Sequence, residues 1–173
     1  RLDAECVRDA TLHATGRLDL TMGGPSVQHF SLSPGAHVTP VVDYSKFDWN
    51  APGSGRRSVY RFLFRTLPDP FMDALDCADA SQLTATRNVS LSPLQALALL
   101  NDTFVLRHSE ILAQRALAAG SDTKALITTV YRLTLSRDPT DAEKKELTPY
   151  VERRGAVNFC RLMLNCSEFL FVD

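Results

Sequence analysis

Apolar residues recur at helical spacing near the beginning of the chain and throughout its second half. Near the beginning, the spacing predicts a helix over residues 2–15 that ends before Gly16, because glycine is common just after a helix. In the second half, Pro149 interrupts a helical pattern and is expected to kink or shorten that helix. The chain is therefore predicted to be helical at its start and from about residue 92 to residue 173.

Local capping signals divide the second half into separate helices. Ser92 with Gln95, and Thr140 with Glu143, have the spacing of capping boxes, so each pair predicts a helix N-terminus. The Asn-Asp pair at 101–102 favours caps over helix interiors and predicts a break. We expect helices over about 92–100, 103–120, 122–135, 140 onward and 156–167, then an apolar tail at 169–172 that packs on the core.

Between these helical parts, turn-forming residues mark about 17–55 as a long irregular segment. The β-branched stretch 38–42 contains Pro40, which limits it to an edge or isolated strand. Aromatic and arginine side chains alternate over 57–64, which favours a strand with buried aromatics, although apolar pairs four residues apart also fit a helix. We expect a short antiparallel pair formed by about 37–42 and 57–64.

Together these elements predict one mainly α domain over residues 1–173, with four to six helices. The 173 residues are 45% hydrophobic and 23% charged, which is typical of a globular chain and excludes disorder, collagen and coiled-coil arrays. The net charge of -1 gives no general attraction to nucleic acid, so no such partner is expected. No apolar run approaches the ~20 residues that span a bilayer, so no membrane span is expected.

The first residue and the cysteines carry further expectations. Because the chain begins with Arg1 rather than Met, we expect it to be a piece of a longer protein. Its cysteines form no Cys-x-x-Cys and no Cys-x-x-Cys-His, so a zinc ribbon, a thioredoxin-like pair and an attached haem lack their minimal motifs. We expect no cofactor in this fragment and free, mostly buried thiols at Cys6, Cys77, Cys160 and Cys166.

Charged and amide side chains between residues 56 and 102 supply the best candidates for a functional site. Two nearby carboxylates such as Asp76 and Asp79 are what glycoside hydrolysis uses. Arginines beside a helix N-terminus would instead suit an anionic ligand such as a sulfated or carboxylated sugar. The same residues also fit a purely structural role in caps and ion pairs. The predicted polar pocket consists of Arg57, Asp76, Asp79, Arg87, Asn88, Gln95 and Asn101.

Other chemistries have weaker support in the sequence. His29 and His37 would bind a metal with Asp43 or Asp48, but these histidines lie in a loop without a rigid element, so no metal site is expected. A serine hydrolase lacks its Gly-x-Ser-x-Gly elbow. The arginines and aromatics over 56–65 would stack on bases, yet the balanced charge around them favours a solvated or salt-bridged face.

Short strings along nearly the whole chain carry a family resemblance. In order they are RLDAE, GRLD, MGGPSV, RRSVY, RTLP, DCAD, RNVS, LQAL, LND, YRL and NCSEF, from residue 1 to residue 169. Taken together they resemble the C-terminal domain of unknown function in planctomycete proteins that also carry a cytochrome c-like haem domain. The resemblance implies an exported parent protein, with haem c on a separate upstream domain and often a carbohydrate-recognition-like domain as well.

The same resemblance implies partners and departures. It implies contacts with the upstream domains and an association with the breakdown of complex, often sulfated, polysaccharides. Many members read Phe-Asp-x-Pro-Asp where this chain has residues 75–79, and they have a cysteine shortly before the equivalent of Arg87. Thr84, Ala85 and Thr86 stand there instead, so no role is expected for that cysteine. Asp76, Asp79 and Arg87 remain.

Two functional hypotheses follow from the sequence. The first is an interaction module of an exported haem-domain protein that holds or presents a polysaccharide or a partner domain. The second is a polysaccharide-acting enzyme domain that uses Asp76 and Asp79.

Overall fold

The computed structural model describes residues 1–35, 40–64, 67–79, 83, 86–120 and 122–171. Within those ranges the chain forms eight α-helices and one two-stranded antiparallel sheet. The helices are α1 Ala4–Ala14, α2 Pro70–Ala74, α3 Pro93–Asn101, α4 Thr103–Ala119, α5 Thr123–Leu135, α6 Asp141–Arg154, α7 Ala156–Met163 and α8 Ser167–Leu170, and the strands are β1 Ser31–Ser33 and β2 Val41–Asp43. The predicted mainly α class with a short antiparallel pair is confirmed, and α2 and α8 raise the helix number above the expected four to six.

The apolar core lies where α4 packs against α7, α5 and α1. Leu112 of α4, Ile127 of α5 and Phe159 of α7 are fully buried in it. Burying a side chain of this size stabilises the fold by about 1.5–3 kcal/mol, so this helical layer supplies much of the hydrophobic stabilisation.

Both capping boxes form where the sequence predicts them. The Ser92 hydroxyl accepts from the backbone N–H of Gln95, and the Thr140 hydroxyl accepts from that of Glu143. The predicted break at 101–102 is also present, because Asp102 leaves helical geometry and caps α4 through the N–H of Phe104.

The helix α6 continues past its internal proline. It runs to Arg154, so the expected shortening at Pro149 does not occur. The turn beyond the proline is held by Val151, which is buried and whose carbonyl accepts from Gly155 N–H at 2.8 Å. Packing of that last turn therefore retains the helix despite the missing backbone donor.

The last predicted helix, over 156–167, ends early, and a separate short helix follows it. The helix α7 ends at Met163, and Cys166 then adopts an extended conformation before α8 begins. The Asn165 side chain donates to Leu99 O at 2.8 Å, which ties the break to α3. The predicted docking of the apolar tail is confirmed for Phe169 and Leu170, which are buried.

The β pair differs from the predicted one. Strand β1 pairs with β2 in the register Ser31 opposite Asp43, whereas residues 57–64 contain a 3₁₀ turn at Ser58–Tyr60. Residues 37–39, which belong to the other predicted strand, lie outside the described residues. The strand prediction for 57–64 is wrong because its arginines, rather than its aromatics, turn inward: the Arg61 side chain is 3% exposed and Phe62 is 45% exposed.

The beginning and the end of the described chain meet. The backbone N–H of Leu2 donates to the carbonyl of Leu170 at 2.8 Å. The first helix and the last helix are thereby joined at one edge of the core. In the described part of the chain, no helix has both the length and the apolar character needed to cross a bilayer.

Candidate functional site

Asp76 is the centre of a closed hydrogen-bond cluster. It follows α2 with a positive φ of 58°, a backbone conformation that is uncommon outside glycine. Its Oδ2 accepts from Arg1 Nη2 at 2.8 Å, from Ser90 N–H at 2.8 Å and from Gln95 Nε2 at 3.0 Å. The Ser90 backbone N–H and the Arg1 guanidinium lower the pKa of Asp76 to about 2. This carboxylate is therefore charged and held in place by the protein itself.

Gln95 connects this cluster to α3. Its Oε1 accepts from the Ser92 backbone in the capping box, while its Nε2 donates to Asp76 and to Ser90 Oγ at 2.7 Å. The structure thus brings together two of the predicted site residues, Asp76 and Gln95. Arg1 and Ser90 complete the cluster. Sequence reasoning missed both, because Arg1 is 75 positions from its carboxylate.

Arg87 belongs to a second cluster, with acidic residues of the chain's beginning. Its two terminal nitrogens donate to the Glu5 carboxylate at 2.7 and 3.0 Å, and Nη1 lies 3.8 Å from Asp3. Although burial opposes the shift, the hydrogen bond from Arg87 lowers the pKa of Glu5. Arg87 is thus tied to the residues at the beginning of the chain and in α1.

Three predicted residues share an open groove. Arg57, Asp79 and Arg87 line a groove of about 760 Å³ beside α1. Asn88 follows Arg87 on the exposed surface. Asp76 does not line this groove, so the two aspartates of the enzyme hypothesis do not face one common space.

Asn101 lies apart from the other predicted residues. At the C-terminus of α3, its Nδ2 donates to Leu97 O at 3.1 Å, and its Oδ1 accepts from Arg161 Nη2 of α7 at 3.0 Å. Both contacts are typical of a residue that closes one helix and ties it to a neighbour.

Buried arginines organise the irregular segment. Arg56 donates to Pro25 O at 2.8 Å, to Thr21 O at 3.3 Å and to Gly23 O, and its guanidinium lies 3.9 Å from the Tyr60 ring centroid. These carbonyls have no regular strand or helix to pair with, and a guanidinium offers five donors in one plane. One arginine therefore pairs with three backbone carbonyls of the same turn.

Arg8 of α1 does the same for the next stretch of backbone. It is 2% exposed and donates to Arg56 O and Ser54 O, both at 2.9 Å. Burial and the nearby Arg61 charge lower the pKa of Arg8 to about 10, so the side chain stays charged at neutral pH. Of the expected solvated or salt-bridged arginine face, Arg56 and Arg61 are buried, and Arg61 forms a salt bridge with Asp69.

One candidate binding site is an aromatic cavity of about 290 Å³ next to α2. Its aromatic lining consists of Tyr44, Phe62 and Phe64. The buried Phe30 ring packs against all three, with centroid distances of 5.2, 5.9 and 5.8 Å. The three rings are therefore fixed by a common neighbour, and sequence reasoning missed their cavity because it assigned these aromatics to the core.

Charged groups complete the lining of this aromatic cavity. Arg61 Nη2 donates to Asp69 Oδ2 at 2.6 Å, and Asp69 Oδ1 also caps α2 by accepting from Phe71 N–H. Asp73 and Asp79 lie in the same lining. Asp69 is thus paired with Arg61, and Asp73 contributes a further carboxylate. The cavity combines fixed rings with hydrogen-bonding groups and a negative local charge.

Metal and thiol chemistry find little support in the described ranges. They contain no group of three or more His, Cys, Asp and Glu side chains placed to hold a metal ion. His37 of the weak metal hypothesis lies outside them. The four cysteines are free; Cys160 is buried, Cys77 and Cys166 are half-buried, and Cys6 is exposed. Burial raises the pKa of Cys160 to about 12, which makes it an inert packing residue.

Comparison with known families and proteins gives one positive result. Residues 1–151 match the model of the family PSD1, described as "Protein of unknown function (DUF1553)". Neither the curated proteins nor the solved structures contain a significant match. The match agrees with the expected domain of unknown function.

Proposed function

The chain belongs to the PSD1 family of proteins of unknown function (DUF1553), and we propose that it is a binding module for a neutral unit of a polysaccharide. The observation that carries the proposal is the aromatic cavity, in which fixed rings stand beside the Arg61–Asp69 pair. A sugar ring has an apolar C–H face and a rim of hydroxyls. Aromatic faces bind the first, and charged donors and acceptors bind the second.

The volume of the aromatic cavity suits one such unit. About 290 Å³ is at the lower end of the range for small-molecule sites, so the cavity would hold a single ring rather than a long segment. The neighbouring units would extend along the surface past Phe62 and Leu63, which are 45% and 48% exposed.

The charge of the lining selects among sugars. Arg61 is paired with Asp69, and Asp73 adds a further carboxylate, so a sulfate or carboxylate on the ligand would meet repulsion. This balance favours neutral sugars over the sulfated ligands that the family resemblance implies. The proposed ligand is therefore still a polysaccharide, but one whose bound unit carries no sulfate or carboxylate.

The wider setting extends the proposal. In an exported parent protein with an upstream haem domain, a module of this kind would hold the polysaccharide close to the other domains.

The enzyme hypothesis receives less support from the geometry. A catalytic pair must share a substrate, yet Asp79 lines the cavity while Asp76 is engaged by Arg1, Ser90 and Gln95. With a pKa of about 2, Asp76 is also a poor general acid or base near neutrality. Binding is the better account of this site.

A glycan array followed by calorimetry tests the proposal. The 173-residue chain is probed with neutral and sulfated oligosaccharides, and we expect it to retain neutral ones. The Phe62→Ala variant removes an exposed ring from the aromatic cavity and should weaken binding at least tenfold. Leu117→Ala is the matched control, because Leu117 is also 45% exposed but lies on α4.

The outcomes separate the alternatives. Equal loss in both variants would show that binding does not use the aromatic cavity. Retention of sulfated glycans alone would contradict the charge argument, and a blank array would overturn the proposal as a whole.

A further inference from the structure

A second cavity adjoins the aromatic cavity. It has a volume of about 200 Å³ and shares Tyr44 and Asp69 with the first, so these two side chains form the wall between them. On its far side it is lined by groups from α1, α4 and the irregular segment. They include Arg8, His29, Trp49, Asp102, Thr103 and Phe104. We call this the inner cavity.

Two polar atoms of the inner cavity's lining are unpaired. Within the described ranges, neither Nδ1 of His29 nor Nε1 of Trp49 has a hydrogen-bond partner, and both atoms are buried. His29 is 3% exposed, and its ring stacks on Trp49 with a centroid distance of 6.1 Å. Buried polar groups are almost always paired, so two such atoms beside one cavity indicate a group that binds there.

The neighbouring arginine shows which chemistry these atoms offer. Nε2 of His29 lies 3.5 Å from Arg8 Nη2, and a guanidinium nitrogen can only donate. The His29 ring also shares a hydrogen bond with the Ser54 backbone, so one ring nitrogen is a donor and the other an acceptor. Burial, with the charges of Arg8 and Arg61, lowers the pKa of His29 to about 3, so the ring is neutral at ordinary pH. The inner cavity thus presents the Trp49 N–H as a donor, together with the unpaired Nδ1 of His29.

Acceptors face the same space. Asp102 uses Oδ1 to accept from Phe104 N–H at 2.8 Å, and its carboxylate lies in the lining together with that of Asp69. Arg8 already donates to backbone carbonyls at 2.9 Å. Its guanidinium therefore stabilises the fold and is not directed at an anionic ligand. A ligand group must accept from the Trp49 N–H and donate to the carboxylates. Hydroxyl groups do both.

We infer that the inner cavity is a second subsite, which takes the next hydroxyl-rich ring of the same neutral oligosaccharide across the wall formed by Tyr44 and Asp69. This inference rests on the proposed function. The Trp49 and Phe104 rings, which meet edge to face at a centroid distance of 5.1 Å, give this cavity its apolar lining. The ligand is then a disaccharide or longer, and a single sugar ring fills only part of the site.

The position of one residue makes the subsite directly observable. Trp49 is the only tryptophan in the chain, so intrinsic fluorescence reports on the inner cavity. The 173-residue protein is titrated with cellobiose, mannobiose and xylobiose, and with the methyl glycosides of the same sugars. We expect at least one disaccharide to bind tenfold or more tighter than its methyl glycoside by calorimetry, and to shift the Trp49 emission.

Two variants address the inner cavity without touching the aromatic one. His29→Phe keeps a ring against Phe47 and Trp49 but removes the ring nitrogens, and Thr103→Tyr fills the mouth from an exposed position on α4. Each should reduce disaccharide binding to the level of the methyl glycoside. His13→Phe, at an exposed position of α1, is the matched control and should leave both affinities unchanged.

The results distinguish this inference from the proposed function. If methyl glycosides bind but disaccharides bind no tighter and the Trp49 emission is constant, the inner cavity holds water only and the inference is overturned. The proposed function then still stands. If none of the sugars binds, both fail. Unchanged disaccharide binding in Thr103→Tyr also overturns the subsite, because that variant leaves the buried groups intact.

Discussion

From Pro93 onward the chain pairs its backbone within helices, whereas between residues 17 and 64 much of the pairing comes from arginine side chains. In the helical part, apolar side chains such as Leu112 fill the core and local caps end the helices. In the irregular part, Arg56 reaches carbonyls of three residues between 21 and 25. The same requirement, that buried backbone groups be paired, is met in two different ways.

The comparison teaches where function is easiest to place. Within a helix the backbone N–H and C=O groups bond to each other, so only side chains remain on its surface to bind a ligand. The irregular part is held by a few long side chains and leaves gaps between them, and both cavities lie along it. The cavities therefore occur where buried arginines, rather than continuous helices, hold the chain together.

The largest expected effect tests the packing of the helical part. Phe159→Ala in α7 removes a fully buried ring and should lower the free energy of unfolding by about 3–5 kcal/mol, measured by urea denaturation. Val157→Ala, on the same helix at a 42% exposed position, should cost far less. Equal costs for the two would show that α7 does not carry the core.

A slightly smaller effect would break the irregular side. Arg8→Lys keeps the charge but cannot reach the two carbonyls in one plane, and we expect a loss of about 3 kcal/mol. Arg153→Lys, at the exposed end of α6, should change stability by less than about 0.5 kcal/mol. If Arg8→Lys left the free energy of unfolding unchanged, charge alone, rather than guanidinium geometry, would hold the segment.

Acid should weaken the junction of the two parts. Burial lowers the pKa of His108 to about 4, and burial with the Arg8 charge lowers that of His29 to about 3, both from an ordinary 6.5. Below about pH 6.5 only the unfolded chain takes up these protons, so stability falls with pH. We expect a loss of about 2 kcal/mol between pH 7 and pH 5.5 in urea denaturation.

Histidine variants serve as controls for this pH dependence. His29→Phe should remove roughly half of the slope, whereas His13→Gln, at an exposed position of α1, should leave it unchanged. A slope that survives replacement of both His29 and His108 would assign it to other groups.

A smaller effect would sharpen the boundary between the parts. Asp76→Asn weakens the cluster that ties Arg1 to α3 and should cost about 1–2 kcal/mol at neutral pH. The pKa of Asp76 is lowered from 3.8 to about 2, so its contribution is present above about pH 4 and is lost as the pH falls toward 2. The difference from the natural chain should shrink in that window. Glu152→Gln, on exposed α6, is the control.

The smallest effect concerns a single cap of the helical part. Thr140→Ala removes the acceptor for Glu143 N–H and should cost about 1 kcal/mol in the same measurement. Thr128→Ala, inside α5, should be close to neutral. If Thr140→Ala left the free energy of unfolding unchanged, tertiary packing alone would set the start of α6.

The helical part could be predicted from sequence because its determinants are local. Ser92, Thr140 and Asp102 each act on backbone within three residues, so the chain around them contains the whole signal. The last helix was predicted too long because its break depends on Asn165 bonding to α3, which is 66 positions away.

The irregular part and the site resisted prediction because their partners are distant. Arg8 meets Arg56 O across 48 positions, and Arg87 meets Glu5 across 82. Alternation over 57–64 predicts a strand because arginine is usually exposed, whereas here the Arg61 guanidinium is buried against the Asp69 carboxylate. Gln95 bonds to Asp76 across 19 positions, and the aromatic cavity depends on Phe30, which no local pattern relates to it.

The hydrogen bond between Leu2 and Leu170 makes the described chain almost a ring. A short linker across this point would close it covalently, and closing so long a loop removes much of the freedom of the unfolded chain. New ends opened between α5 and α6, at the exposed Ser136, would then give a circular permutant with the same core and the same cavities. The order in which the helices follow one another along the polypeptide is thus separable from the architecture that they form.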